Sequence, residues 1–133
     1  MTTCEFTFHG AVPCCGRCSL QRHAKRRLGL FIRQMARHWS RDGRTEIDLM
    51  AELDDGTFLF GECKWRTDRT TRLSDLGALQ AKIASLPEAK WRDKPSYILF
   101  TPGGFAPELS QLAADPAERL FLVADVDILS SDR

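Results

Sequence analysis

Glu46-Ile-Asp-Leu-Met-Ala-Glu-Leu53, then Asp54-Asp55-Gly56, then Thr57-Phe-Leu-Phe-Gly-Glu-Cys-Lys-Trp65 is the stretch on which the reading of this chain turns. Two alternating runs joined by a short turn that ends in glycine predict a β-hairpin. Its expected turn is a type I bend, with Gly56 in the left-handed region forming a bulge. If Asp54 to Gly56 is the loop, Leu53 faces Thr57, Asp48 faces Glu62, and Glu46 faces Lys64. Successive side chains on a strand point to opposite faces, so these four charged residues should share one face at the hairpin's open end. The other face would carry Ile47, Leu49, Ala51, Leu53, Leu59, Cys63 and Trp65, a surface suited to a core.

Directly opposed residues have Cβ atoms about 4.5–5.5 Å apart, and like charges held that close are destabilising. A cation shared between Asp48 and Glu62 would remove that cost. Two carboxylates are a usual protein contribution to a Mg2+ site that keeps several waters. Lys64 follows Glu62 by two positions and shares its face. Its side chain can orient a metal-bound water or, as the neutral amine, deprotonate it; as the ammonium it could stabilise charge developing on phosphorus. These are the parts that phosphodiester hydrolysis needs. The bland alternative is a cross-strand ion pair, Glu46 with Lys64, on an exposed sheet face.

The rest of the chain supplies a setting for the hairpin. Phe31 to Trp39 reads as a preceding strand, and Ala24 to Leu30 as a short helix opening or closing at Gly29. Leu73, Leu76, Leu79, Ile83 and Leu86 recur at helical spacing, with Ser74 as the expected N-cap and Pro87 as a stop. Ser96 to Thr101 and Leu120 to Ala124 are short apolar runs of the kind that form buried strands. Between them, Phe105 to Ala114 reads as a helix with Pro107 in its first turn and Leu109 and Leu112 inward. A hairpin followed by alternating helices and strands predicts an α/β sandwich, with a mixed central sheet flanked by helices. Trp91 is expected to cover a loop.

A chain of 133 residues, 43% hydrophobic and 28% charged, is one soluble domain's worth. No run approaches the roughly 18–20 apolar residues of a membrane span. The N-terminus lacks a signal-peptide pattern. A cytoplasmic location and reduced cysteines are therefore expected. The net charge of +1 conceals an asymmetry. No acidic residue lies between Phe6 and Arg41, a segment of charge +8, whereas residues 42–133 carry −6. A basic, Cys-rich arm over residues 1–30 before a domain over residues 31–133 suggests a polyanionic partner. In that arm, Cys15, Cys18 and His23 match three positions of a zinc knuckle, but Leu28 occupies the fourth. Free thiols are the better reading there.

Glu46-Ile-Asp-Leu-Met and Phe60-Gly-Glu-Cys-Lys-Trp resemble the D…ExK signature of the PD-(D/E)XK nuclease superfamily. More narrowly, they resemble the nuclease-like domain found at the C-terminus of certain archaeal and bacterial AAA+ ATPases. Arg37-His-Trp39, Tyr97-Ile-Leu-Phe-Thr-Pro-Gly-Gly-Phe and Leu120-Phe-Leu-Val-Ala-Asp125 fit the same pattern, so the likeness runs from about residue 35 to about residue 128. Ile47 stands where the motif's proline is expected. The resemblance implies a restriction-endonuclease-like fold, with Asp48 and Glu62 as ligands of Mg2+ or Mn2+ and Lys64 as the catalytic cation. It also implies that Cys63 offers its backbone carbonyl to the metal.

Around that centre, Glu46 is a candidate second-sphere or second-metal carboxylate, and Gln80 and Lys82 are candidates for assistance from the following helix, unless they merely line a solvated face. Arg66, Arg69, Arg72, Lys25, Arg26 and Arg27 are candidates for phosphate contact. The expected partners are DNA and an AAA+ ATPase; a second copy of the chain stays open. The alternative to a deoxyribonuclease is a non-catalytic nucleic-acid-binding or ATPase-partner module that keeps the nuclease fold.

Overall fold

The computed structural model describes residues 11–13, 24–39, 46–64 and 70–124; of residues 11–13, 26 and 37–39 it describes the backbone alone. Strands β1 (Ala11–Pro13), β2 (Ile32–Trp39), β3 (Glu46–Leu53), β4 (Phe58–Cys63), β5 (Ser96–Phe100) and β6 (Leu120–Val123) lie side by side in that order in one sheet. The first four are antiparallel neighbours, and β4, β5 and β6 run parallel. Helices α1 (Leu73–Ala84) and α2 (Ala89–Arg92) carry the chain from β4 to β5, and α3 (Pro107–Ala113) carries it from β5 to β6. This is the α/β class expected, a mixed sheet flanked by helical segments.

The hairpin forms in the predicted register, with Glu52 opposite Phe58, Ala51 opposite Leu59, and Leu49 opposite Gly61. Its turn is the expected one. The Leu53 amide donates to the Thr57 carbonyl at 2.9 Å, the Gly56 amide donates back to the Leu53 carbonyl at 3.0 Å, and Gly56 has φ +88°. That φ is open to glycine at little cost. Asp55 adds a second lock, accepting from the Thr57 amide at 2.9 Å and from its hydroxyl at 2.6 Å.

Alternation divides the core between the two sheet faces. On one, Met50, Phe58, Phe60 and Leu99 pack with Leu76, Leu79 and Ile83 of α1 and Leu109 of α3. On the other, Leu49, Ala51, Leu53, Leu59, Ile98, Phe100 and Val123 pack with Met35, Leu28 and Leu30. Two successive parallel crossovers of one hand place their helices on the same face, as α1 and α3 are here. The opposite face is met by a helical turn, Ala24–Leu28, whose Ala24 is fully buried. That turn closes at Gly29, φ +69°, with the Leu30 amide on the Ala24 carbonyl at 2.9 Å.

Several details depart from the sequence reading. α1 starts at Leu73 with Arg72 as its cap, not at Ser74, because Asp75 reaches back to accept the Arg72 amide at 2.8 Å. Leu73 is consequently exposed. Trp91 does not cover a loop; it is 2% exposed and belongs to the core beneath α1. β1 was not foreseen: Ala11–Pro13 pairs with Ala36–His38 at the sheet edge, where proline's missing amide is tolerated. Strand pairing and the buried Ala24 therefore join parts of the basic leader to the sheet. The Cys4, Cys14, Cys15, Cys18, His9 and His23 cluster lies outside the described residues, as do Trp65 and Arg41 to Thr45.

Candidate functional site

The site is built where the β3–β4 ladder stops. The pairing of β2 with β3 slips there: β3 runs from Met50 to Ile47 while β2 runs from Ala36 to His38, so Asp48 and Leu49 together oppose Arg37. This is a β-bulge, a feature that re-aims side chains and is common beside active sites. It has two results.

First, Ile47 changes face. It joins Met50 and Phe60 in the core under α1 rather than Leu49 and Leu53, as strict alternation required. Glu46, one position earlier, is exposed, and its pairing is with Trp39 of β2. The expected placement of Glu46 beside Asp48, opposite Lys64, is therefore corrected: the extra residue reverses its parity. Among the described residues, the ion pairs of Lys64 are with Glu62 and Asp75, both at 4.0 Å.

Second, the bulge turns the Asp48 carboxylate into the ladder's place. Antiparallel pairs alternate between bonded and unbonded, so the Cys63 amide points toward β3, where an unbroken ladder would offer the Ile47 carbonyl. Instead Asp48 Oδ2 accepts the Cys63 amide at 2.9 Å. The Asp48 amide in turn approaches Glu62 Oε2 at 3.5 Å. On the far side, the Lys64 amide donates to the Phe100 carbonyl of β5 at 2.7 Å, which fixes the C-terminal end of β4.

Glu62 is the centre of the cluster. Its side chain is 7% exposed, beneath α1, and its carboxyl Oε1 receives the Lys82 ammonium at 3.1 Å. Burial lifts its pKa above the usual 4.5, and the Asp48 carboxylate lifts it further; the Lys82 and Lys64 ammonium groups pull the other way. Burial, reinforced by the charges of Asp48 and Glu62, pushes the Cys63 thiol up to about 11, so it is held as an unreactive thiol. Cys63 itself packs against the core on the opposite face of the sheet.

The sequence reading missed Asp75. Its carboxyl both starts α1 and faces Lys64, and the signal was present: Asp at the third position of a helix is a common partner for the cap amide. Of the two helical candidates, Lys82 is drawn into the site, whereas Gln80 lies on the exposed side of α1. Arg72 is exposed at the start of α1, and Lys25 and Arg27 are exposed on the helical turn before β2. Arg66 and Arg69, and the side chain of Arg26, lie outside the described residues. Among the described residues, no group of three His, Cys, Asp or Glu side chains converges into a metal cage.

Comparisons with known proteins give a match over part of the chain and a structural likeness. The family DUF234, described as archaea bacterial proteins of unknown function, matches residues 15–76. That span contains Asp48, Glu62, Lys64 and Asp75, and ends before Lys82. The comparison with curated proteins gives no match. Among solved structures, the chain is similar to a crystal structure of a repair endonuclease from Pyrococcus abyssi, at 22% identity and a TM-score of 0.41. The likeness covers 62% of this chain and 32% of that one, so this chain spans about a third of the endonuclease's length. No helix among the described residues is long and apolar enough to cross a membrane.

Proposed function

We propose that this chain is a nuclease-like domain that hydrolyses DNA phosphodiester bonds with a divalent metal ion, Mg2+ or Mn2+. The observation that carries the reading is the convergence of Asp48, Glu62 and Lys64 at the open end of one hairpin, with Glu62 buried and its carboxyl repelled by Asp48. Two acids kept that close in a partly buried place suit a hard dication that retains waters. The Cys63 carbonyl is a third oxygen for it. Within a strand a residue's amide and carbonyl point to the same side, and the Cys63 amide points to Asp48.

A bound dication would neutralise phosphate charge and lower the pKa of a coordinated water. The remaining work falls to the chain's own groups. Asp48 is locked by the Cys63 amide, so its second oxygen is presented without a search over rotamers. Lys64, restrained between Glu62 and Asp75, holds a positive charge where a phosphoryl oxygen would gain negative charge. Exposed Arg72, Lys25 and Arg27 are suited to the DNA backbone.

One observation favours a second reading. Lys82 already neutralises Glu62 at 3.1 Å, an arrangement that a non-catalytic nucleic-acid-binding or ATPase-partner module would retain without metal. Nicking of supercoiled plasmid in Mg2+ or Mn2+ separates the two. The nuclease reading expects nicking by the wild type that disappears in Asp48→Ala and Lys64→Ala while both variants stay folded. Salt-sensitive DNA binding indifferent to metal and to Glu62→Ala, with no nicking, would establish the module instead.

A further inference from the structure

Among the described residues, the helix above the hairpin contributes the nearest cation to the proposed metal ligand, and that cation is not part of the D…ExK pattern. Lys82 Nζ stands 3.1 Å from Glu62 Oε1, closer than Lys64 at 4.0 Å. Glu62 Oε1 is the oxygen contested by both ammonium groups, while Oε2 faces the Asp48 amide. A carboxylate with a 7% exposed side chain needs a counter-charge at neutral pH, since an uncompensated buried charge is costly. Lys82 supplies it when no dication is present.

We propose that Lys82 is a displaceable counter-ion that competes with the divalent cation for Glu62, so that metal binding requires the ammonium to leave. This rests on the reading of Asp48 and Glu62 as a metal site and adds to it a residue that opposes loading. An ammonium and a dication cannot share one carboxylate oxygen at contact distance without strong repulsion. The exchange is also physically open. The Lys82 side chain is 34% exposed, against 7% for Glu62, and its four-carbon stem can carry the charge into water. Lys82 lies in the last turn of α1, where the helix's own carbonyl end favours a positive charge once the Glu62 pair is broken. Lys64 differs from Lys82 in standing farther from Glu62 Oε1, at 4.0 Å, and in having the Asp75 carboxylate at the same distance.

The competition reverses the sign that a supporting role would give. If Lys82 assisted the metal or merely braced α1, removing it would weaken metal binding or leave it unchanged. If it competes, Lys82→Met should tighten binding, by up to roughly fivefold for the loss of one partly exposed ion pair. The test is calorimetric titration of the full chain with Mn2+ alone, at low ionic strength, with circular dichroism to confirm folding. Lys82→Met is expected to bind Mn2+ up to roughly fivefold more tightly than the wild type. Lys82→Arg, which keeps the charge, should stay near the wild-type affinity and preserves the test if the methionine variant folds poorly. Lys90→Met, which removes an equal charge from an exposed position on α2, should change little. Equal or weaker Mn2+ binding by Lys82→Met overturns the inference while leaving the metal site standing. Absence of Mn2+ binding in the wild type and in Lys82→Met alike overturns both.

Discussion

Asp48 accepts the backbone amide of Cys63 at 2.9 Å, so a side chain of β3 completes a ladder that its own backbone leaves open. The relationship follows from the bulge at Asp48 and Leu49. Without the extra residue, the amide would meet a carbonyl and the carboxylate would lie over the sheet face. It also explains why Asp48 and Glu62, adjacent in register, do not adopt the same environment: Asp48 is tied to backbone, whereas Glu62 turns under α1 to meet Lys82.

Glu62 makes the fold's stability depend on pH in a defined direction. Its pKa is raised by burial and by Asp48, so the native state holds the proton more tightly than the unfolded chain does. The stabilisation due to the neutral form is full below the usual value and is lost as pH rises through the raised one. Glu62→Gln removes that loss. In a chelating buffer, the melting temperature of the variant minus that of the wild type should increase between about pH 4 and about pH 7. A difference that stays constant or shrinks over that interval contradicts the assigned shift.

Gly61 is required by packing rather than by a special φ. A Cβ there would stand 2.9 Å from Ile98 Cγ2 and 3.1 Å from the Leu49 Cβ, between β3 and β5 on the buried face. Neither neighbour can swing away, because one is a β-branched methyl and the other a Cβ. Gly61→Ala should cost about 1–3 kcal/mol in urea unfolding, the usual penalty of overpacking. Neutral or improved stability would mean that the strands can separate at this point.

Asp75 joins helix start to site. Asp75→Ala should lose about 0.5–2 kcal/mol through the uncapped Arg72 amide. Asp75→Asn keeps an acceptor oxygen and should recover most of it. The two variants should nevertheless agree in lowering plasmid nicking, because both remove the negative charge that faces Lys64. Full nicking by Asp75→Asn would show that the Lys64 contact is incidental to chemistry.

The hairpin was legible because every local signal agreed. Alternation set the faces, Asp54-Asp55-Gly56 set the turn, and the turn set the register. The later strands and α1 were legible for similar reasons, since their apolar periods match the surfaces that Leu76, Leu79, Ile98 and Leu120 bury. The bulge was not legible. It is decided by the pairing of β3 with β2, and nothing in Ile47-Asp48-Leu49 alone announces an extra residue. The error over Glu46 follows directly from that. Lys82 and Asp75 depended on how α1 lies across β4, a tertiary relation to which helical periodicity is blind. Trp91 sits in a four-residue helix whose apolar content is too short to show a period. β1, three residues ending in proline, carries almost no strand signal of its own.

Everything functional proposed for this chain depends on Asp48 and Glu62 sharing one divalent ion. Titration of the full chain with Mn2+, compared with Asp48→Asn and Glu62→Gln, addresses that sharing without reference to catalysis. The wild type should bind a single ion at the hairpin's open end, and each substitution alone should abolish the heat of binding while the far-ultraviolet spectrum is preserved. Undiminished Mn2+ binding by Asp48→Asn would mean that the two carboxylates do not hold a common ion.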